Sequence, residues 1–278
     1  MTDEADTGAP RVPLVCELVC GETLDRHVEE FRTWAALVWD LTVEALLSSG
    51  VIERSDDVYD KALWDGVVGT GLVPDTKLRT RRLSAKAWTE MLGGDDLRGF
   101  GVSARPLPHV PEATGAESYI SLSSNWHPDT HIPNWTSWTL PARFTVGVDS
   151  AWVSRLVAGF VAFGVATRAH AGLIGWVKTT TLFLTYPLAR TDYESVLWQP
   201  GWAVLLSDGH MTKLGGVSTL EATGLFGRVE QVADGLYLVQ SGAGLFEFDA
   251  THRQEVESVL GPILLPPPFD PAAALGQT

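Results

Sequence analysis

The sequence predicts an α+β fold in which antiparallel or mixed sheets carry packed helices. The chain has 278 residues, of which 45% are hydrophobic and 19% are charged, so it can bury a large core. Segments with the alternation of strands lie between segments with the apolar spacing of helices. Their order is strand, long helix, strands, strand–helix–strand and strand–helix–hairpin–helix, and this mixture predicts the α+β class.

The first predicted element is a buried strand from Val12 to Cys20. Alternate residues of a strand point to the same face, so Cys16 and Cys20 share one side. Four residues of strand span roughly 13 Å, whereas the Cα atoms of a disulfide lie within about 7 Å. We therefore expect two free thiols in the core of a protein from a reducing compartment, and a single pair of cysteines does not favour a zinc site.

Helical spacing of apolar residues predicts a long amphipathic helix from Thr23 to Ser49, which Gly50 ends. Beyond it, short strands and turns continue to residue 140. We expect an N-terminal α+β half over residues 12–140, preceded by a disordered stretch at residues 1–11. The acidic N-terminus has no apolar region typical of a signal peptide, and no apolar run reaches the length of a membrane span. A cytoplasmic location without membrane contact is expected.

A C-terminal α+β half is predicted over residues 141–268, with a flexible tail at 269–278. Its first elements are a strand from Ala142 to Val148 and a helix from Ala151 to Thr167 whose N-cap is Asp149 or Ser150. A strand from Leu173 to Val177 follows. Next come a strand from Trp202 to Leu206 and a short helix whose N-cap is Ser207 or Asp208 and whose C-cap is Gly215-Gly216. A hairpin across Asp234-Gly235 and a helix starting near Asp249 complete this half. The sequence allows the two halves to be related.

The stretch from Asn125 to Trp138 contains three tryptophans and two histidines between prolines. His127 and His131 have the spacing of metal ligands on a helix, but Pro128 and Pro133 indicate a loop and no third ligand is placed by spacing. Because tryptophan is enriched at interfaces, an exposed recognition loop built on Trp126, Trp135 and Trp138 is favoured over a metal site. Core tryptophans beneath a long loop are the single interpretation that the stretch favours most.

The net charge of −14 disfavours nucleic-acid binding, which needs lysine and arginine. An acidic surface is typical of a soluble protein, which is the more general interpretation, and attraction of a basic protein partner is the more specific one. No nucleophile elbow, phosphate loop, dinucleotide fingerprint or metalloprotease motif is present in the sequence, so no catalytic residue and no cofactor is predicted. The exposed acidic and aromatic segments supply the expected contacts. The candidate partner-binding residues are Asp56, Asp57, Asp60, Trp126, His127, Asp129, His131, Trp135 and Trp138.

The segment around residues 140–262 resembles the C-terminal part of bacterial polymorphic-toxin immunity proteins, namely the type VI immunity family and its relatives. The residues that carry the resemblance are Arg190, the turn Pro200-Gly201-Trp202, the helix end Leu214-Gly215-Gly216 and the hairpin from Val229 to Gln240. The resemblance implies a non-enzymatic cytoplasmic protein that binds and blocks a cognate toxin, often a nuclease. In that case the glycine and tryptophan positions are scaffold.

Three functional hypotheses follow from the sequence. The first is an immunity-type protein, monomeric or homodimeric, that neutralises a cognate toxin or binds another basic protein. The second is a metal-dependent hydrolase that uses the loop with His127 and His131. The third is an accessory subunit of a larger assembly, such as a phage-encoded one. The charge and the absence of catalytic motifs in the sequence favour the first hypothesis.

Overall fold

The protein is built from strands that join into one sheet and from helices that pack on it. The computed structural model describes residues 12–23, 26–70, 79–94, 97, 100–106, 119–125, 134–176 and 190–265. The strands are β1 (Leu14–Cys20), β2 (Trp64–Thr70), β3 (Arg79–Arg82), β4 (Gly101–Pro106), β5 (Ile120–Asn125), β6 (Asn134–Leu140), β7 (Ala171–Trp176), β8 (Ala203–Ser207), β9 (Phe226–Ala233) and β10 (Leu236–Ser241). The α-helices are α1 (Val28–Ser48), α2 (Ala85–Leu92), α3 (Ser150–Ala166), α4 (Asp208–Leu214), α5 (Val217–Ala222) and α6 (Ala250–Leu260).

All ten strands of the described residues form one sheet in the order β3-β2-β4-β5-β6-β1-β7-β8-β10-β9. Every pair of neighbouring strands is antiparallel. The α+β prediction is confirmed, and the sheet is antiparallel throughout. Strand β1 lies between β6 and β7, and all seven of its residues are buried. The sheet therefore continues across the predicted boundary at residue 140, and a relation between the two halves stays a prediction.

One face of β1 is covered by helices. Cys16 lies opposite Trp138 of β6, whose indole Nε1 donates a hydrogen bond to the Thr42 hydroxyl of α1 at 3.0 Å. Helices α1 and α3 pack together on this face, where the rings of Trp34 and Phe163 stack with centroids 5.7 Å apart. Both cysteines are buried and neither forms a disulfide, as predicted. Aromatic contacts between the two helices thus build the core on the cysteine side of the sheet.

The predicted strand from Ala142 to Val148 is wrong. These residues form a 3₁₀ helix at Ala142–Thr145 followed by a turn. Pro141 starts it, because the amide of Phe144 donates to the Pro141 carbonyl at 2.9 Å. The chain leaves the sheet at Leu140, so the crossover through α3 joins β6 to β7, with β1 between them. Helix α3 itself starts as predicted, with the Asp149 carboxylate accepting from the Trp152 amide.

The C-terminal elements agree closely with the sequence analysis. Strand β8 leads into α4, whose N-cap is Ser207, and Gly215 closes this helix with a φ of 80°. The hairpin of β9 and β10 turns at Asp234 and Gly235, and Gly235 has a φ of 69°. Residues 1–11 and 266–278 lie outside the described residues. Within the described part of the chain, no helix has both the length and the apolar character needed to span a membrane.

The Pro200-Gly201-Trp202 turn packs closely against β7. A Cβ atom on Gly201 would lie 2.9 Å from the carbonyl oxygens of both Ile174 and Ala203, which are backbone atoms that cannot easily yield. We expect Gly201→Ala to lower the free energy of unfolding by about 1–3 kcal/mol, measured by urea denaturation. Gly101→Ala is the control, because its Cβ meets no atom within 4 Å. Equal stability of the two variants would contradict the tight approach.

Candidate protein-binding site

An acidic segment follows α1 and folds on itself. A 3₁₀ helix forms at Ser55–Tyr59, and the Asp57 carboxylate caps it by accepting from the backbone amides of Arg54 at 2.9 Å and Glu53 at 3.2 Å. The hydrogen bond from the Arg54 amide is the main reason that the pKa of Asp57 is lowered. Asp60 accepts from the Ala62 amide at 2.7 Å. Two of the predicted acidic residues therefore hold the segment in shape.

Tyr59 stands at the centre of this segment. The indole Nε1 of Trp39 in α1 donates to the Tyr59 hydroxyl at 3.0 Å, and Trp39 stacks on Trp88 of α2 with ring centroids 4.8 Å apart. Burial is the first cause that raises the pKa of Tyr59, and the charges of Asp40 and Asp56 raise it further. Both carboxylates therefore lie close enough to the phenol to act on it. The acidic segment rests on a stacked aromatic base.

We name Asp40, Asp56, Asp57 and Asp60 the acidic patch. Three of these residues are exposed, and Asp57 is half-buried. Arg54 compensates part of the charge through an ion pair with Asp57 at 3.1 Å. Among the described residues, no hydrogen bond or ion pair is formed by the Asp56 side chain. Leu63, which is 43% exposed, adds an apolar contact beside the patch. The arrangement presents uncompensated negative charge on a fixed frame.

The aromatic loop is only partly described. Trp126, His127, Asp129 and His131 lie outside the described residues. Trp135 is half-buried on β6. Trp138 is 1% exposed, with its ring 6.1 Å from that of Trp152. Trp138 therefore has the core position that the sequence favours for these tryptophans, and its indole does not reach the surface.

The strand directions show that the predicted acidic residues and Trp135 lie at different ends of the sheet. Trp135 pairs with Val19, near the end of the sheet where β1 finishes. Strand β2 is four antiparallel steps away from β1 and so runs parallel to it. Asp60 precedes the first residue of β2, Trp64, and lies at the end of the sheet where β1 starts. The acidic patch and Trp135 are therefore at opposite ends of the sheet, and they do not form one continuous surface.

Glu17, a buried carboxyl in the central strand, was not predicted as a notable residue from the sequence. Trp198 Nε1 donates to Glu17 Oε2 at 2.9 Å, and the Ser137 hydroxyl donates to Oε1 at 3.2 Å. Burial raises the pKa of Glu17 to about 8, against the lowering effect of these two hydrogen bonds. A glutamate within the apolar stretch Leu-Val-Cys-Glu-Leu-Val-Cys was the signal in the sequence. Its face is opposite to that of the cysteines, and it holds Trp198 against the sheet.

A polar cleft of about 740 Å³ lies beside α4 and includes His170, Glu194 and Ser207. The Ser207 hydroxyl is 2.9 Å from His210 Nδ1, a separation that could suggest a nucleophile and its base. However, Nδ1 accepts from the Ser207 amide, while the hydroxyl donates to the Glu194 carbonyl. Burial lowers the pKa of His210 to about 4, so its imidazole is neutral. The pair is the cap of α4, and it does not activate the hydroxyl.

No group of three or more histidine, cysteine, aspartate or glutamate side chains is placed to hold a metal ion within the part of the chain that the structure describes. The loop with His127 and His131, on which the hydrolase hypothesis depends, lies outside that part. The described geometry consequently offers two kinds of polar site. One is the open acidic patch, and the other is the set of closed hydrogen-bonded groups around Glu17 and His210.

Comparisons with known proteins identify a solved structure that shares the fold of this chain. No family model matches the chain, and no curated protein matches it. Among solved structures, the chain is similar to the Pseudomonas aeruginosa T6SS protein PA0821, with a TM-score of 0.52 and 11% sequence identity. The alignment covers 91% of this chain and 76% of that chain. The likeness extends over nearly the whole of this chain and shows a shared fold.

Glu17 makes the stability of the protein depend on pH. Its pKa is about 8 in the folded chain against 4.5 for an ordinary glutamate, so between these values the folded chain keeps a proton that the unfolded chain releases. The contribution of Glu17 to the free energy of unfolding is therefore fully present below about pH 4.5, and it is lost as the pH rises toward 8. We expect the free energy of unfolding of Glu17→Gln to equal that of the parent near pH 4 and to exceed it by roughly 5 kcal/mol above pH 8.

Urea unfolding at about pH 4, 7 and 9 measures this difference. Glu221→Gln is the matched control, because this glutamate is exposed on α5 and its removal leaves the core unchanged. Unfolding curves of Glu17→Gln that follow those of the parent at every pH would show that the buried carboxyl does not carry the proton.

Proposed function

We propose that this chain is a type VI secretion-associated protein that binds a cognate toxin through the acidic patch and blocks it without catalysis. The fold supports the association, because the similar Pseudomonas aeruginosa structure is described as a T6SS protein. The observation that carries the proposal is the acidic patch itself, where the charges of Asp40 and Asp56 raise the pKa of Tyr59 beside the stacked rings of Trp39 and Trp88. The net charge of −14 also favours binding to a positively charged partner.

Electrostatics favours a basic partner for this surface. A strongly negative protein attracts a positive one over a distance of several ångströms, and this steering accelerates encounter. Nucleases carry positive charge where they hold the phosphate backbone. Asp40 and Asp56, both exposed, offer carboxylates in place of phosphates at such a site. A bound copy of this chain would then cover the toxin's active site and exclude its substrate.

The rigidity of the patch favours tight binding. Ordering a flexible loop on binding costs free energy, and a preorganised surface avoids that cost. Here the Asp57 carboxylate fixes the 3₁₀ helix, and the Trp39 indole fixes Tyr59 from below. The free chain therefore already holds its exposed carboxylates in position. Asp57 and Asp60 contribute through the shape of the segment, and the exposed carboxylates of Asp40 and Asp56 contribute through charge.

The test is co-expression with the toxin encoded beside this chain's gene. The parent chain is expected to restore growth and to co-purify with the toxin. The double variant Asp40→Lys, Asp56→Lys places repulsive charges on the patch and leaves both the Asp57 cap and the hydrogen bond from the Ala62 amide to Asp60 intact. We expect it to bind the toxin at least about a hundredfold more weakly, mainly through slower association, because close charge pairs across interfaces contribute several kcal/mol. Surface plasmon resonance at two salt concentrations measures both effects.

Glu255→Lys, Glu257→Lys is the control with the same change in net charge. Both glutamates are exposed on α6, in the C-terminal part of the chain. This variant is expected to keep rescue and to lose only the small part of the rate that depends on total charge. Equal loss in both double variants would contradict a localised patch. Co-purification with another component of a secretion system, and none with the toxin, would favour the accessory-subunit hypothesis instead.

A further inference from the structure

The two edges of the ten-stranded sheet differ in their protection against pairing. Strand β3 forms one edge, is four residues long and contains three arginines. A short edge with repeated like charge resists contact with a second copy of itself. Strand β9 forms the other edge and is eight residues long, without proline or lysine. Edge β9 is therefore the one that can accept a further strand.

The backbone of β9 has one partner among the described residues. It pairs with β10, and no other backbone hydrogen bond of the described chain involves its residues. In an antiparallel ladder, every second residue of an edge strand directs its amide and carbonyl away from the sheet. The stretch from Arg228 to Gln231 pairs with β10 in unbroken register. This stretch is a regular and unoccupied template for hydrogen bonding.

The side chains of β9 are complementary to their own copy. Arg228 and Glu230 lie on the same face, opposite Gln240 and Leu238 of β10, and each is partly exposed while the two pair with each other. If two β9 strands pair antiparallel about Val229, Arg228 lies opposite Glu230 of the other copy, and the reverse pair forms as well. Centres at Arg228 or Glu230 would instead oppose like charges, which is unfavourable. Self-complementarity therefore selects one register.

We propose that this chain forms a two-fold symmetric dimer by antiparallel pairing of β9 with β9 of a second copy, centred on Val229. The two-fold axis is perpendicular to the sheet, so the sheet faces on which α1 and α3 pack lie on the same side in both copies. On that side, a groove of about 740 Å³ between α3 and the hairpin includes Arg228, Gln240 and Phe246. The charge pairs lie beside this groove in both copies. The result is one continuous twenty-stranded sheet.

Cross-linking tests the register directly. Val229 lies opposite its own copy at the centre, where directly opposed residues have Cα atoms about 5 Å apart, within reach of a disulfide. With oxidised glutathione as oxidant, the full-length variant Val229→Cys is expected to form a disulfide-linked dimer. The native Cys16 and Cys20 are buried and do not compete. Thr80→Cys, exposed on β3, is the matched control and is expected to stay monomeric on a non-reducing gel.

Charge exchange tests the energetics by sedimentation velocity over a range of concentrations. Arg228→Glu and Glu230→Arg each oppose like charges, and each is expected to raise the dimer Kd by about tenfold or more. The double variant Arg228→Glu, Glu230→Arg restores the opposite pairs and is expected to regain the parent Kd. Circular dichroism confirms that the hairpin is folded in each variant.

Three outcomes would overturn the proposal. The first is a parent chain that stays monomeric at all concentrations, with no cross-link through Val229→Cys. The second is a cross-link through Thr80→Cys in place of Val229→Cys, which would place the interface on β3. The third is a dimer whose Kd does not respond to either single charge change. A monomer that uses β9 to bind a toxin strand would give the first outcome.

Discussion

The hydrogen bond between Glu17 and Trp198 ties the two parts of the chain together at the centre of the sheet. Glu17 belongs to β1, the strand to which β6 and β7 both pair, and Trp198 directly precedes the turn that leads into β8. A buried carboxyl that is kept protonated can accept these bonds without the cost of a buried charge. One neutral side chain in the central strand therefore anchors Trp198 on the face opposite the cysteines.

Local signals in the sequence account for much of the fold. The N-cap at Asp149, the cap at Ser207, the left-handed Gly215 and the Asp234-Gly235 turn were all predicted, because each is set by a few neighbouring residues. Strand order was not predictable in this way. The position of β1 between β6 and β7 depends on pairings between residues more than 100 positions apart, and single-sequence periodicity contains no information about such pairings.

The candidate site illustrates the same limit. The acidic residues after α1 were predicted from composition, but their aromatic base was not, since Trp39, Tyr59 and Trp88 come together only in the folded chain. The sequence also grouped these aspartates with the tryptophan stretch, and the strand directions place Trp135 at the other end of the sheet. Glu17 was missed because an isolated glutamate in an apolar strand resembles an ordinary exception to alternation.

The acidic patch and the β9 edge are compatible because the sheet separates them. The patch precedes β2, next to the β3 edge, whereas β9 forms the opposite edge. A dimer through β9 would leave both patches open and far apart, so that each copy could bind a partner independently. The two surfaces also differ in charge, and each therefore suits a different kind of partner. The patch carries one sign and fits a basic partner, while β9 carries both signs and fits itself.

Hydrogen–deuterium exchange on the full-length chain, with and without the toxin encoded beside its gene, tests the central claim most directly. If the acidic patch binds the toxin, amide protection will rise over residues 53–63 and in α1 around Asp40, with smaller changes elsewhere. Protection confined to β9, to the cleft beside His170 or to no segment at all would contradict the assignment of toxin binding to the acidic patch.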